Sequence, residues 1–183
     1  MVDNFRNLIF EGGGVKGIAY IGAIEILKKE GILKNILRVG GTSAGAITAL
    51  LLSLNYDLEE IKRIFLDLQF KDFLDNSRLV PNTRRFLKQY GWYKGEYICH
   101  WLKSLIEKKT KFKNPTSQDI YNLKEKYNFK DLYVVGTNLS TGFSEIFSHE
   151  HTPKMPVAES VYISLAIPLF FTAFHYNGSI YVD

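Results

Sequence analysis

The stretch ILRVGGTSAGAITALLLSL, residues 36–54, places three kinds of local sequence in succession, and the fold class follows from their order. Residues 36–39 read as a short strand, residues 40–45 as a turn punctuated by Gly40, Gly41 and Gly45, and residues 46–54 as an apolar helix. The same order stands upstream. Leu8, Ile9 and Phe10 run into Glu11-Gly12-Gly13-Gly14, after which Ile18, Ile21, Ala23, Ile24 and Leu27 recur with a helical period as far as Gly31. Two consecutive strand–turn–helix units predict an α/β fold built on a parallel sheet with helical cover.

Downstream, Leu58, Ile61, Ile64, Phe65 and Leu68 mark one amphipathic helix, and Tyr97, Ile98, Trp101, Leu102, Leu105 and Ile106 mark another; both are assigned to packing or a lid. Four of the six residues 108–113 are lysine, which reads as a solvated loop and helix end, with a basic edge facing lipid headgroups as the alternative. Leu132, Tyr133, Val134 and Val135 form a continuous apolar run within residues 131–138, the pattern of a strand buried on both faces. Ser140-Thr141-Gly142 then turns the chain into a hairpin partner over residues 144–148. Residues 158–166 read as a short helix stopped by Pro168, and Asn177-Gly178 turns the chain into a strand, Ile180-Tyr181-Val182-Asp183. There is no repeat, linker or second-domain boundary, so residues 1–183 are expected to form a single domain.

Composition narrows the function classes. With 183 residues, 46% hydrophobic and 23% charged, the chain is a folded globular domain rather than a disordered or low-complexity one. A net charge of +4 is too small to indicate nucleic acid, though it suits weak attraction to an anionic surface. Cys99 stands alone, so no internal disulfide forms; a reducing compartment fits, and the thiol is expected to be buried and inert. The first ten residues carry no export signal, and apolar stretches such as 49–52 and 166–171 fall far short of the ~18 to 20 residues that span a bilayer. Any membrane contact is expected to be peripheral, with the protein in the cytoplasm or delivered into another cell by a non-Sec route.

Gly41-Thr42-Ser43-Ala44-Gly45 is a G-x-S-x-G sequence set between a predicted strand and a predicted helix, the context of a nucleophile elbow. Small residues at Gly41 and Gly45 suit a strained turn, and a helix N-terminus favours the negative charge of acyl transfer. The alternative is a serine helix cap in a glycine turn. Gly12-Gly13-Gly14-Val15-Lys16-Gly17, also between strand and helix, offers successive backbone N–H groups, as an oxyanion hole or a phosphate cradle requires. A P-loop needs Ser or Thr after its lysine, and Lys16 is followed by Gly17. Gly12, Gly14 and Gly17 do satisfy the dinucleotide pattern G-x-G-x-x-G. That reading expects an acidic residue at the end of the next strand, where Val39 is followed by Gly40 and Gly41. An oxyanion hole accounts for both glycine turns together.

The four histidines, His100, His149, His151 and His175, all precede Asp183, so the hydrolase order of serine, acid, histidine needs an earlier acid. Strand alternation would put His149 and His151 on one face, but no third ligand is near in sequence, and no metal is expected.

Glu11 to Gly17, the elbow at Ser43, Ser164-Leu165-Ala166-Ile167-Pro168 with Phe170 and Phe171, and a strand ending in Asp183 together resemble the patatin-like phospholipases in order and spacing. Thr137-Asn138-Leu139-Ser140-Thr141-Gly142, leading to Ile146-Phe147-Ser148, is similar to the family's segment before its serine- and proline-containing stretch. The resemblance spans residues 8–183. It implies a three-layer α/β/α fold with a mainly parallel central sheet. It further implies Ser43 as nucleophile, Asp183 as the base of a dyad without histidine, and Gly12, Gly13 and Gly14 as oxyanion donors. Lys16 falls at the family's basic position in that loop, where it would hold the loop or favour an anionic substrate. Phe170, Phe171 and Phe174 are candidates for an acyl channel, with a core aromatic cluster the preferred reading.

The implied activity is hydrolysis of carboxylic esters in phospholipids or other acyl lipids at a membrane surface, with no cofactor and no nucleic acid; whether a host or regulatory activator is needed stays open. The family's aspartate is normally followed by Gly and then Gly or Ala, whereas this chain stops at Asp183. The domain is therefore expected to be shortened at its C-terminal side, with an α-carboxylate disturbing the acid's pKa and aim. Two rivals stand beside the hydrolase: a dinucleotide-binding oxidoreductase, and a silent lipid-binding effector module.

Overall fold

The computed structural model describes residues 5–68, 73 and 91–183; residues 1–4, which enter the export reading, lie outside them. Strand β1 (Asn7–Phe10) pairs in parallel with β2 (Arg38–Gly41), and β2 pairs in parallel with β4 (Asp131–Asn138). The crossover from β1 to β2 contains a 3₁₀ segment, Gly14–Ala19, and helix α1 (Tyr20–Lys29). Helix α2 (Ala44–Ser53) follows β2, and every one of its residues is buried. That explains an apolar run with no polar face: α2 packs against β1, β2 and β4 while the 3₁₀ segment and α7 (Val157–Ile163) close over it. Its buried hydroxyls stay satisfied within the helix, Thr48 donating to the Ala44 carbonyl and Ser53 to that of Leu50. The fold is the expected three-layer α/β/α arrangement with a parallel centre.

Antiparallel strands complete the sheet, and their register positions the far end of the chain. Strand β5 (Phe143–Phe147) pairs with β4 from Val134↔Phe147 to Asn138↔Phe143. Strand β8 (Ser179–Val182) pairs with β4 at Thr137↔Val182 and Asn138↔Tyr181. Since Val134 pairs with both Gly41 and Phe147, and Thr137 with both Val182 and Ser144, β2 and β8 lie on the same edge of β4. They run towards each other and end facing one another. Strand β7 (Phe174–Tyr176) joins β8 through Asn177-Gly178, whose φ values of 48° and 81° are those of the type I′ turn that matches strand twist. A separate pair, β3 (Gly91–Tyr93) with β6 (Leu169–Phe171), lies parallel.

Local departures have identifiable causes. The second strand covers 38–41 rather than 36–39, because pairing with Tyr133 and Val134 draws Gly40 and Gly41 into the ladder, and α2 starts at Ala44 rather than 46. Strand β4 is not buried on both faces: Leu132, Tyr133 and Val135 are half-buried, and the turn at 148–151, not a helix, lies over Tyr133. Cys99 is half-buried, at the flank of the face that α4 (Glu96–Thr110) buries through Ile98, Leu102, Leu105 and Ile106. Within 108–113, Lys109 lies 2.6 Å from Glu60 of α3 (Leu58–Asp67) and 4.3 Å from the Tyr56 ring centre, and Lys108 is 3.5 Å from Glu60. Two of the four lysines therefore brace helix to helix.

Candidate active site

The elbow is built by close backbone packing. Thr42 donates its N–H to Phe10 at 3.1 Å, and its carbonyl accepts from Gly45 at 2.8 Å and Ala46 at 3.2 Å, so the chain reverses from β2 into α2 within two residues. A side chain at Gly41 would overlap the Gly45 carbonyl, and one at Gly45 would overlap the Phe10 carbonyl. Ser43 caps the helix at φ 50° and ψ −127°, a backbone conformation that costs of order 1–3 kcal/mol and persists only where the surroundings over-determine it.

The glycine loop lies directly against this serine. A Cβ on Gly12 would meet Ser43 Cβ at 3.1 Å. The loop is shaped by Tyr20, whose hydroxyl donates to the Glu11 carbonyl at 2.8 Å, and by the Lys16 N–H, which donates to Gly13 at 3.1 Å. Gly12, Gly13 and Gly14 are exposed, with Gly14 at φ 54°; the Gly12 and Gly13 amides meet no protein acceptor among the described residues. Lys16 helps to close the loop through its backbone, while its exposed side chain is not part of the cavity wall.

From the other side comes Asp183, one residue past β8, half-buried, with its N–H donating to the Ala166 carbonyl at 3.0 Å. Its carboxylate lies beside the Ser43 hydroxyl. Burial pushes this carboxyl above the usual aspartate range, and the neighbouring Ser43 hydroxyl offsets part of that rise. Ser164, fully buried, accepts the Ser43 N–H at 3.0 Å and donates its own hydroxyl to the Val135 carbonyl on β4. Its sequence neighbourhood marks it only as part of a motif; no local pattern reveals its bond to Ser43.

Ser43 opens on a cavity of about 500 Å³ in which it is the only polar side chain among the described lining residues. Ile47 and Ile98 are buried in its wall, and Val15, Ile18, Ile167 and Phe170 are exposed at its rim. Phe170 and Phe171 both line it: Phe171 is at the same time buried in the core, as the core reading expects, whereas Phe170 is exposed at the cavity and departs from it. Phe174 instead packs edge-on against Tyr162 at 6.0 Å. A larger cavity of about 670 Å³ opens at the opposite end of β2 and β4 and contains none of the elbow or glycine-loop residues.

None of the four histidines lines the Ser43 cavity. His100 and His175 are exposed, His149 stacks on Tyr121 at 4.1 Å, and His151 Nδ1 lies 2.8 Å from the Ser148 hydroxyl. His149 to His151 form a turn, not the expected strand, because Ser148 caps the N–H groups of Glu150 and His151. The dinucleotide alternative fails on geometry: β2 ends in Gly41 where a ribose-binding acid is required, and the adjoining cavity is apolar.

Comparison with known proteins bears on the family and the fold. A family model described as Patatin-like phospholipase matches residues 8–183. The uncharacterized protein R571 of Acanthamoeba polyphaga mimivirus is 29% identical over 179 residues, covering 97% of this chain and 57% of its own length. The probable lipid hydrolase 463L of Invertebrate iridescent virus 6 is 27% identical over 179 residues, covering 98% of this chain and 59% of its own. The chain thus spans a little over half the length of these relatives. Among solved structures, VipD from Legionella pneumophila shares the fold with a TM-score of 0.76 at 22% identity, over 98% of this chain and 46% of that one.

Two outcomes are expected. Gly45→Ala drives a methyl into the Phe10 carbonyl and should lower unfolding stability by about 1–3 kcal/mol, read as a drop in urea midpoint with an unchanged slope. Asp183→Asn tests the raised carboxyl. A carboxyl raised on folding contributes stability below its unfolded pKa of ~3.9 and loses it as pH rises through the folded value. Asp183→Asn should therefore equal or exceed the parent's urea midpoint at pH 7, with the gap closing below that range; a lower midpoint at pH 7 would contradict it.

Proposed function

The chain belongs to the patatin-like phospholipase family, and on that premise we propose that it is a lipid acyl hydrolase of phospholipase A or lysophospholipase type, working through Ser43 and Asp183. One observation carries the reading: the Ser43 hydroxyl, beside the Asp183 carboxylate, sits between the free amides of the glycine loop and an apolar cavity of about 500 Å³.

The chemistry follows from these positions. Asp183 accepts the Ser43 proton as Oγ attacks the ester carbonyl carbon, and burial makes this carboxylate a stronger base than an exposed aspartate. The carbonyl oxygen gains the charge and is stabilised by the Gly12 and Gly13 amides, with Gly14 completing the loop and the N-terminus of α2 adding a favourable field. Collapse expels the alcohol, which takes the proton from Asp183, and leaves an acyl-serine with its chain in the apolar cavity. Asp183 then removes a proton from water, which attacks the acyl-serine, releasing the fatty acid and restoring Ser43. No step calls on a metal or an organic cofactor.

Substrate delivery fits a lipid surface. Val15, Ile18, Ile167 and Phe170 expose apolar surface around the cavity mouth, and Leu169 beside them is held exposed at φ 66°, a conformation rare for a bulky residue. Lys16, exposed on the glycine loop, adds a cation on the same side that favours anionic headgroups. No helix of the described residues is long and apolar enough to cross a membrane. We place the protein at a membrane surface as a peripheral hydrolase, in the cytoplasm or in a cell into which it is delivered by a non-Sec route.

A fluorophosphonate probe with peptide mapping, run beside phospholipid hydrolysis, tests the chemistry. Label should fall on Ser43, and Ser43→Ala should lose both label and turnover, by about 10⁴- to 10⁶-fold in kcat. The acid limb of kcat/KM should lie above the ordinary aspartate range. Lipid turnover that survives in Ser43→Ala would overturn the assignment, and vesicle binding without label or turnover would favour the silent binding module. Leu169→Glu should weaken binding to phospholipid vesicles about tenfold, the equivalent of ~1.4 kcal/mol, while a soluble short-chain ester is hydrolysed at the parental rate.

A further inference from the structure

We infer that Ser164 is a positioning residue for the Ser43–Asp183 pair, fixing the elbow peptide so that the Ser43 hydroxyl points at the carboxylate; the inference rests on the hydrolase reading above. The Ser164 hydroxyl is fully buried and committed at both ends, accepting the N–H of Ser43 at 3.0 Å and donating to the carbonyl of Val135. It spans 121 residues of sequence and ties the elbow to β4 through a side chain that bonds the Ser43 amide and does not line the acyl cavity.

The need for such a tie is visible in the backbone. Ser43 is held at φ 50°, and the Thr42–Ser43 peptide is anchored at its carbonyl by the N–H groups of Gly45 at 2.8 Å and Ala46 at 3.2 Å, while its N–H is held, among the described residues, by Ser164 alone. A methyl at 164 leaves that N–H and the Val135 carbonyl without their shared partner in a partly buried place, and the peptide can turn about its anchored carbonyl to seek another. Any such turn moves Ser43 Oγ away from both Asp183 and Gly12.

The same short segment holds the acid. Two residues after Ser164, the Ala166 carbonyl accepts the Asp183 N–H at 3.0 Å. The segment is itself wound onto the end of α7, Leu165 donating to Tyr162 at 2.9 Å and Ala166 to Ile163 at 3.1 Å. Nucleophile and base arrive from β2 and β8, on opposite approaches to one edge of β4, and residues 164–166 grip the backbone of each. Ser164 does so through a side chain, so substitution can remove its half of the grip; Ala166 does so through its main chain and is insensitive to side-chain identity.

Wild type, Ser164→Ala, Ser164→Thr and Ser164→Cys, each checked for folding by thermal melting, form the test, with phospholipid hydrolysis across pH as the readout. Ser164→Ala should lower kcat about 10- to 100-fold, the scale of a displacement near 1 Å, and leave KM within about twofold. Its acid limb should move to higher pH, because the Ser43 hydroxyl, whose proximity holds the Asp183 carboxyl down, is displaced from it. Ser164→Thr, keeping the hydroxyl, should recover most of kcat and the parental limb. If the alanine variant does not fold, Ser164→Cys carries the test: the thiol fills the space but accepts poorly, and kcat should fall. A folded Ser164→Ala, or Ser164→Cys in its place, with parental kcat and acid limb overturns the inference alone. A wild type that neither hydrolyses lipid nor takes the fluorophosphonate at Ser43 overturns the hydrolase reading, and this inference with it.

Discussion

One edge of strand β4 carries two strands end to end, β2 pairing in parallel over Asp131 to Val134 and β8 antiparallel over Thr137 and Asn138. A strand edge admits one partner at each position, so β2 and β8 must stop where they meet, and the residues just beyond their ends face each other across the gap. Those residues are Ser43 and Asp183. The site is therefore a consequence of hydrogen-bond register, and it stays aligned because β5 locks the opposite edge of β4 over Val134 to Asn138. A one-residue slip of β8 would turn the Asp183 side chain to the other face of the sheet.

The elbow stores strain that the surrounding packing sustains. Ser43 at φ 50° is held between Gly41 and Gly45, each of which lies too close to backbone for any side chain, and behind it stands a helix with no exposed residue. Fully buried Leu50 and Leu51 on that helix each contribute roughly 1.5–3 kcal/mol of burial, enough to offset the local backbone cost. Rigidity here serves chemistry: a nucleophile that relaxed out of its strained turn would lose its bearing on base and oxyanion donors together.

Electrostatics concentrates on the same point. Among the described residues Ser43 is the one polar side chain in an apolar wall, Asp183 is half-buried with its carboxyl raised by that burial, and the free amides of the glycine loop supply the opposite polarity. In a low-dielectric setting each of these interactions is stronger than in water. The exposed apolar rim formed by Val15, Ile18, Ile167 and Phe170 joins this interior to the surface.

Much of this was legible in the residues. Apolar runs marked β1 and β4, helical periods marked α1, α3 and α4, and the glycines around Ser43 and at 12–14 marked the two turns, because each signal depends on sterics within a few residues. Boundaries slipped where pairing overrode propensity, as when Gly40 and Gly41 joined β2 opposite Tyr133 and Val134. The sequence by itself determined the α/β class, the elbow and the glycine loop. Only the tertiary structure decided which phenylalanines face the cavity and that the His149–His151 segment is a turn. It also decided that Ser164 holds the Ser43 amide and that Asp183 meets Ser43. The physical reason is separation along the chain: the Ser43–Ser164 bond spans 121 residues, and such a contact exists only once β4 has set the register of its neighbours.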